Sequence, residues 1–504
     1  MSTEKIVDQL ANQLPGIRWW PWKGVYKKIS VIYMKYVDNT FFFIIGTENN
    51  TRFYLPLTRK TEGINLPEER ILKLDSEVYV EAEYTSNYLS LLDKNSDVIR
   101  EDYLPIIGKV KNAKPLTLES TNVVALHELE NGEKLVVKSY RLLPRVNMEP
   151  LMLSWLQRND FRNIPRVYRI YKLKDEPVTI VLEHVDGIGD GGYPFYIAYK
   201  EALTRQKRCR RLGREGYRLG LASKLGVIIA DMHKKLNPTV PTDFFGLEEI
   251  TDKDVSRWNR RIEKRYNEIL RLLDEIVSRK TRKIDTNRYE FWREILDTRA
   301  RPIIENALIG MERFVDAFKG RIHQDLHLLQ MIYVPGEKGR GEDFYIIDFE
   351  GEPGRSEDER IEKEPLIRDI ATMIRSFQYL SFMAYLEVRG GTIDQVAKRL
   401  LRSDSTWQWR MEHSLAMTLA YLAETMAGSR DLHGVKYKRK GHSGYEITQI
   451  NIYNELLMPW LVERALYEIY YEACYRPEWI PVPIIGLLNP SIPAPFINRE
   501  DNTQ

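Results

Sequence analysis

The prevailing hydrophobic period of this sequence shifts from strand-like to helical near residue 190, and that shift limits the folds open to it. Up to about residue 185 the apolar runs are short, aromatic and β-branched. "VIYMKYV", "TFFFIIGT" and "TRFYLPL" are separated by "DNT" and "ENN", and "TNVVALHEL" and "KLVVKSY" flank the turn "ENGE". Such runs, broken by turn residues, specify strands joined as hairpins. Beyond about residue 194 the period is helical. In "LASKLGVIIADMHKKL", Leu221, Leu225, Ile228, Ile229 and Met232 recur at i, i+4, i+7, i+8 and i+11 and predict a helix with one buried face. Between the two regimes, "DGIGDGGY" (186–193) holds four glycines and neither pattern, and reads as a hinge or linker.

A chain of 504 residues exceeds what one core holds together. The pattern divides it into a β-rich cap over 1–105, a smaller unit over 106–187 and a mainly helical unit over 188–504, an α+β architecture with no internal repeat. In the middle unit "MEPLMLSWLQ" has helical spacing, with Leu151, Leu153, Trp155 and Leu156 on its apolar side, and "VTIVLEHV" returns to strand. The helical unit is interrupted at 321–351 by loop and strand patterns, and a proline-rich tail from Pro477 closes the chain. Trp19, Trp20 and Trp22 read as the packed core of the cap rather than a stacking platform.

Charge excludes several function classes. The 75 basic residues nearly cancel the 72 acidic ones, and a net charge of +3 gives no global drive toward nucleic acid or membrane. The basic run Arg205 to Arg218 has no interleaved aromatic platform and reads as a solvated insertion. Two cysteines, Cys209 and Cys474, cannot build a disulfide framework or a thiolate metal site. Met1 to Leu14 lacks an apolar signal core, and no stretch approaches the ~20 apolar residues that span a bilayer, so a cytoplasmic setting is expected.

The most informative stretch is "HQDLHLLQ", 323–330. Phosphoryl transfer to a hydroxyl requires a carboxylate to orient that hydroxyl and oxygen ligands to hold Mg²⁺ on the phosphates. In protein kinases the carboxylate precedes an amide ligand by five residues, and a second Asp follows on a hairpin. Asp325 and Gln330 have that offset, and Asp348 ends the apolar run "FYIID". An amide and a carboxylate leave Mg²⁺ positions for phosphate and water, and Glu350 is placed to add an outer or second-metal contact. His323 and His327 read as buttresses of the loop, His323 on its acceptor side; a zinc site fails for want of a third ligand at suitable spacing. Lys138, at the end of an alternating strand, is expected to reach nucleotide phosphates, with Glu149 on the next helix as its partner. Toward the C-terminus Glu463, Tyr467 and Tyr471 share one helical face, Glu468 and Glu472 another, and Trp479 follows. Carboxylates and aromatic faces of this kind suit a polyhydroxyl substrate, and equally a packed amphipathic helix.

"HQDLHLLQ", "DFEGEP" and "PLIRDIATMIRSFQYL" together resemble the maltokinase family, relatives of the aminoglycoside phosphotransferases within the protein-kinase-like superfamily. The similarity extends to "LANQLPGIRWWPWKG" and "FYLPL" near the start, to "LGVIIADMH", and to "LVERALYEIYYEACYRPEWIPVPIIGL". The resemblance implies a two-lobed protein-kinase-like fold, ATP as donor, Mg²⁺, a small sugar as acceptor and, for maltose, maltose 1-phosphate as product. It implies further that Ser120, Thr121 and Asn122 form the polar turn at the phosphates, in place of a glycine-rich loop, and that Glu183 to Val185 are the segment whose backbone meets adenine. A functional link to a trehalose synthase or a glycogen enzyme is also implied. Two positions depart from the family: Gln324 stands where Gly is usual and Leu326 where an aromatic is common. Glutamine disfavours positive φ, so the loop is expected to take another shape. Glucosamine, trehalose or an aminoglycoside as acceptor remain open, as does a catalytically silent regulator, although Asp325, Asp348 and Lys138 are all present.

Overall fold

Asp38 and Asn39, with φ of 42° and 66°, join Ile29–Val37 to Thr40–Thr47 as a tight hairpin in which Val37 faces Thr40. Positive φ at both central residues matches the right-handed twist of the strands, which is why "DNT" is a strong turn sequence. The computed structural model describes residues 3–17, 19–60, 66–67, 70–206, 212–278, 286–337, 341–426, 431–434 and 449–491. The centre of the basic run, 207–211 with Cys209, and the end of the tail, 492–504, lie outside the described residues. The chain forms two compact units: Met1–Asp186 with Pro353–Ile361, and Gly187–Glu352 with Glu362–Gln504.

The first unit contains two antiparallel sheets. Five strands lie in the order Ile29–Val37, Thr40–Thr47, Arg52–Arg59, Glu77–Glu81, Ile71–Leu74. Phe43, Ile45 and Leu55 point to one face, where they pack with Ile6 and Leu10 of helix Thr3–Gln13 and with Trp19 and Trp20. Phe42, Ile44 and Tyr54 point to the other face and share a core with Val123, Val137, Tyr171 and Val181. The central strands are thus apolar at consecutive positions because both faces are covered. The second sheet has six strands in the order Val98–Asp102, Val167–Leu173, Glu176–Glu183, Lys134–Ser139, Val123–Leu129, Val110–Thr117. Residues 98–102 therefore contribute an edge strand to a sheet otherwise built from residues beyond 106. Helix Met148–Arg158 buries Met148, Met152 and Leu156, an i, i+4, i+8 stripe, with Leu153 beside it. Leu151 and Trp155, expected on the apolar side, are half-buried. Pro353–Ile361 joins this unit, where Asp358 lies 2.7 Å from Arg145.

In the second unit "DGIGDGGY" is not a bare linker. Gly189–Asp190 pairs with Tyr333 and Ile332, and helix Tyr193–Arg205 follows at once. Helix Leu219–Leu236 buries all five residues that the sequence singled out. Its Gly226 lies so close to helix Trp407–Met426 that an added Cβ would be 2.1 Å from the Met417 carbonyl oxygen, an approach only glycine allows. Helices Asp252–Ser278 and Ile367–Arg389 both pack against helix Gln449–Tyr475. The tail from Pro477 is also ordered differently from expectation: Pro481–Leu488 is a helix whose Val482, Ile484, Ile485 and Leu487 are buried. Proline near a helix start forfeits no internal hydrogen bond, so a proline-rich spelling is compatible with a short core helix. Among the described residues no helix is long and apolar enough to cross a membrane.

Candidate active site

Strands Met331–Val334 and Asp343–Ile346 form a hairpin with Met331 opposite Ile346. One step outward, Ile347 N–H donates to the Gln330 carbonyl at 3.0 Å. Gln330 and Asp348 therefore stand at the same end of the hairpin, brought there by strand register although they are well separated in sequence. Asp348 has φ 65°, a left-handed conformation that Asp tolerates better than most residues and that concentrates at functional sites. Glu350 follows, half-buried. An amide oxygen and two carboxylates are hard donors, and this set fits Mg²⁺.

The loop carrying Asp325 is held by Asp369, in the first turn of helix Ile367–Arg389. Its carboxylate accepts from His323 N–H at 2.8 Å, Gln324 N–H at 3.0 Å and His233 Nε2–H at 3.1 Å. His233 Nδ1 in turn accepts from the Tyr421 hydroxyl at 2.9 Å, so the buried acid is fully engaged. His323 Nε2 donates to the Ile347 carbonyl at 2.9 Å, and its Nδ1 accepts from Asp325 N–H at 3.4 Å. One imidazole thereby ties the Asp325 loop to the residue before Asp348. Both ring nitrogens of His323 are thus engaged by the loop and the hairpin end. The shape of the loop is a correction: Gln324 takes the left-handed conformation after all, with φ 72°. Two hydrogen bonds hold it there, the one to Asp369 and another from its Nε2 to the Glu362 carbonyl at 2.8 Å.

Asp325 is buried beside Arg464, whose Nη1 lies 2.9 Å from its Oδ1; His327 Nε2 is 3.7 Å from Oδ2. Burial alone would raise the carboxyl pKa, but the Arg464 guanidinium and His327 override it and hold Asp325 down to about 2. Arg464 also bonds Glu352 and reaches Glu468 at 3.3 Å. Glu352 is 2.9 Å from Arg368, which pairs with Glu364 at 2.8 Å, and Arg261 joins Glu364 at 2.7 Å to Glu463 at 3.0 Å. Arg464 was not found by sequence reasoning. Its only local signal was its place beside Glu463 and four residues before Glu468.

Along helix Gln449–Tyr475 the expected acceptor carboxylates are engaged by arginines. Glu463 pairs with Arg261, Glu468 with Arg375 at 2.7 Å, and Glu472 with Arg476 at 2.8 Å, while Glu472 also accepts from the Tyr379 hydroxyl at 3.2 Å. Burial raises the Glu472 pKa. The Arg464 guanidinium lies 4.9 Å from the Tyr467 ring centre, and Arg476 lies 5.6 Å from that of Tyr471 and 5.7 Å from that of Trp479. Tyr471 is exposed and Trp479 half-buried.

In the first unit Lys138 Nζ lies 2.7 Å from Glu149 Oε2, the pairing the sequence suggested, and both side chains are largely buried. Glu149 sits in the first turn of Met148–Arg158, where Asn147 caps its N–H. In the polar turn Ser120 Oγ accepts from Asn122 N–H at 3.1 Å, and Asn122 Oδ1 accepts from Arg141 N–H at 3.1 Å. Asn122 thus faces inward and fastens the turn to the end of the neighbouring strand, while Thr121 is exposed. Glu183 is occupied by Arg166, 3.1 Å away, and Val185 is half-buried.

These features define a kinase-like α+β fold. In solved structures the chain is similar to a glucosamine kinase in complex with glucosamine, ADP and inorganic phosphate, with a TM-score of 0.62 and 16% identity over 97% of this chain and 98% of that one. A second structure of glucosamine kinase (crystal form B) gives a TM-score of 0.63 at 17% identity, covering 95% and 98% of the two chains. No family model matches the chain.

Proposed function

We propose that this protein is an ATP-dependent kinase that phosphorylates a hydroxyl group of a small sugar. The observation that carries the reading is the stitching of the Asp325 loop, through His323, to the hairpin end that bears Gln330 and Asp348. In this reading the oxygen of the acceptor hydroxyl bonds to the γ-phosphorus as the bond to the ADP oxygen breaks, and Asp325 orients the hydroxyl and receives its proton. A carboxyl group whose pKa is held down to about 2 is a weak base, which suits a loose transition state in which positioning outweighs proton abstraction. Gln330 and Asp348 would hold Mg²⁺, with Glu350 beside them, and the ion would offset charge on the phosphates. In the first unit the Lys138–Glu149 pair would steady the nucleotide phosphates, the Ser120–Thr121 turn would face them, and the backbone at Glu183–Val185 would meet adenine.

Maltose is the acceptor favoured by the resemblance, with maltose 1-phosphate as product in a cytoplasmic pathway shared with a trehalose synthase or glycogen enzyme. The charge balance supports a neutral sugar: Glu463, Glu468 and Glu472 are each committed to an arginine rather than offered to an ammonium group. Glucosamine is the second reading, favoured by the fold shared with a glucosamine kinase. The test is ADP release and sugar-phosphate formation with ATP, Mg²⁺ and maltose, glucosamine, trehalose or an aminoglycoside. Product from maltose alone is expected; product from the amino sugars alone replaces the acceptor. No acceptor-dependent turnover by folded protein removes the kinase reading. Asp325→Asn is expected to bind ATP as before and to lose turnover by about 10²–10⁴-fold.

A further inference from the structure

Gln324 immediately precedes Asp325 and has φ 72°, a region that glycine enters freely and that a side chain disfavours. It is 3% exposed, and its Oε1 accepts a hydrogen bond from no described residue. Both features oppose folding, and glycine would remove both. Neither feature favours a glutamine at this position.

What the side chain adds is the bond from Nε2 to the Glu362 carbonyl at 2.8 Å. That carbonyl also accepts from Arg321 Nη1 at 3.2 Å, and Arg321 is itself fixed by its N–H to Asn237 Oδ1 at 2.7 Å. Glu362 therefore keeps a donor if the amide is removed. Gln324 does not: without the amide its own tie is the N–H bond to Asp369, and the turn is otherwise held through its neighbours His323 and Asp325. A position that breaks two folding preferences beside the proposed base is where function overrides stability.

We propose that Gln324 is a positioning residue for Asp325: its amide pins the left-handed turn to Glu362 and so fixes the carboxylate that meets the acceptor. The catalytic half of this statement rests on the kinase reading; the structural half is measurable without it. In Gln324→Gly, hydrogen exchange at the amides of His323 to Asp325 should quicken while the melting temperature holds or rises, because glycine suits the conformation. Turnover should fall about tenfold or more, as expected for a displaced reacting group, with KM for ATP little changed. Gln324→Glu keeps the size and deletes the donor, and should match the glycine variant in exchange and turnover. Unchanged exchange in both variants overturns the proposal, as does full turnover in Gln324→Gly or a loss of turnover that only parallels a loss of folding. Quickened exchange in a protein whose wild type transfers no phosphoryl group leaves the turn assignment standing and sinks the kinase reading instead.

Discussion

Arg464 Nη1 lies 2.9 Å from Asp325 Oδ1, and the same nitrogen bonds Glu352, so one buried guanidinium joins the proposed base to the chain just beyond Asp348. The folded pKa of Asp325, about 2, lies below the ordinary value. The pair therefore stabilises the fold above the unfolded pKa, and that contribution is lost as pH falls through the folded value. Arg464→Met leaves a buried carboxylate without its main counter-charge. Its pKa should rise and the acid limb of the pH–rate profile should move toward neutrality. Removing one partner of a buried pair should cost about 3–5 kcal/mol in urea unfolding. An acid limb unmoved in this variant means that Arg464 does not govern Asp325.

Asp348 offers a cleaner separation of chemistry from folding. Its φ of 65° is tolerated by Asn as well as Asp, so Asp348→Asn should keep the fold. The variant loses a charged oxygen from the proposed metal set. The Mg²⁺ concentration for half-maximal ATP turnover should rise at least about tenfold, with the melting temperature of the metal-free protein unchanged. A Mg²⁺ titration coincident with wild type would remove Asp348 from the metal set.

The Lys138–Glu149 pair belongs to the first unit and should report on the nucleotide alone. Lys138→Met is expected to raise KM for ATP by about tenfold or more, leaving KM for the acceptor near its wild-type value. Glu149→Gln should do the same more mildly, because the lysine keeps its charge and loses only its partner. Equal effects on both substrates would point to a general loss of structure.

Local chemistry was legible in the sequence and long-range pairing was not. The hairpin at Asp38–Asn39, the buried stripe of Leu219–Leu236 and the Lys138–Glu149 pair follow from period, turn residues and spacing, each readable within a short window. Arg464 meets Asp325 across 139 residues, and nothing in the local pattern of either announces the other. The acidic stripe of Gln449–Tyr475 left two readings open because its compensating arginines, 261 and 375, lie on other helices. Gln324 departs from its local preference for a related reason: intrinsic preference argues against positive φ, and the bonds that override it come from Asp369 and Glu362. The proline-rich tail concealed helix Pro481–Leu488 because proline at a helix start reads like proline in a loop.

Asp369 supports the loop without being placed to meet any substrate. Its two oxygens serve the N–H groups of His323 and Gln324 together with His233, and its exposure is 0%. Asp369→Ala would strand two backbone donors and an imidazole N–H in a region closed to water, each lost bond costing about 1–3 kcal/mol. Asp369→Asn keeps the volume and one acceptor oxygen, yet presents an NH₂ group toward donors it cannot satisfy. Both variants should therefore lose stability in urea unfolding, alanine and asparagine alike. Asparagine should not rescue turnover, because the Asp325 loop depends on two acceptors and not on shape. A fully active, fully stable Asp369→Asn protein would show that the loop holds its form by other means.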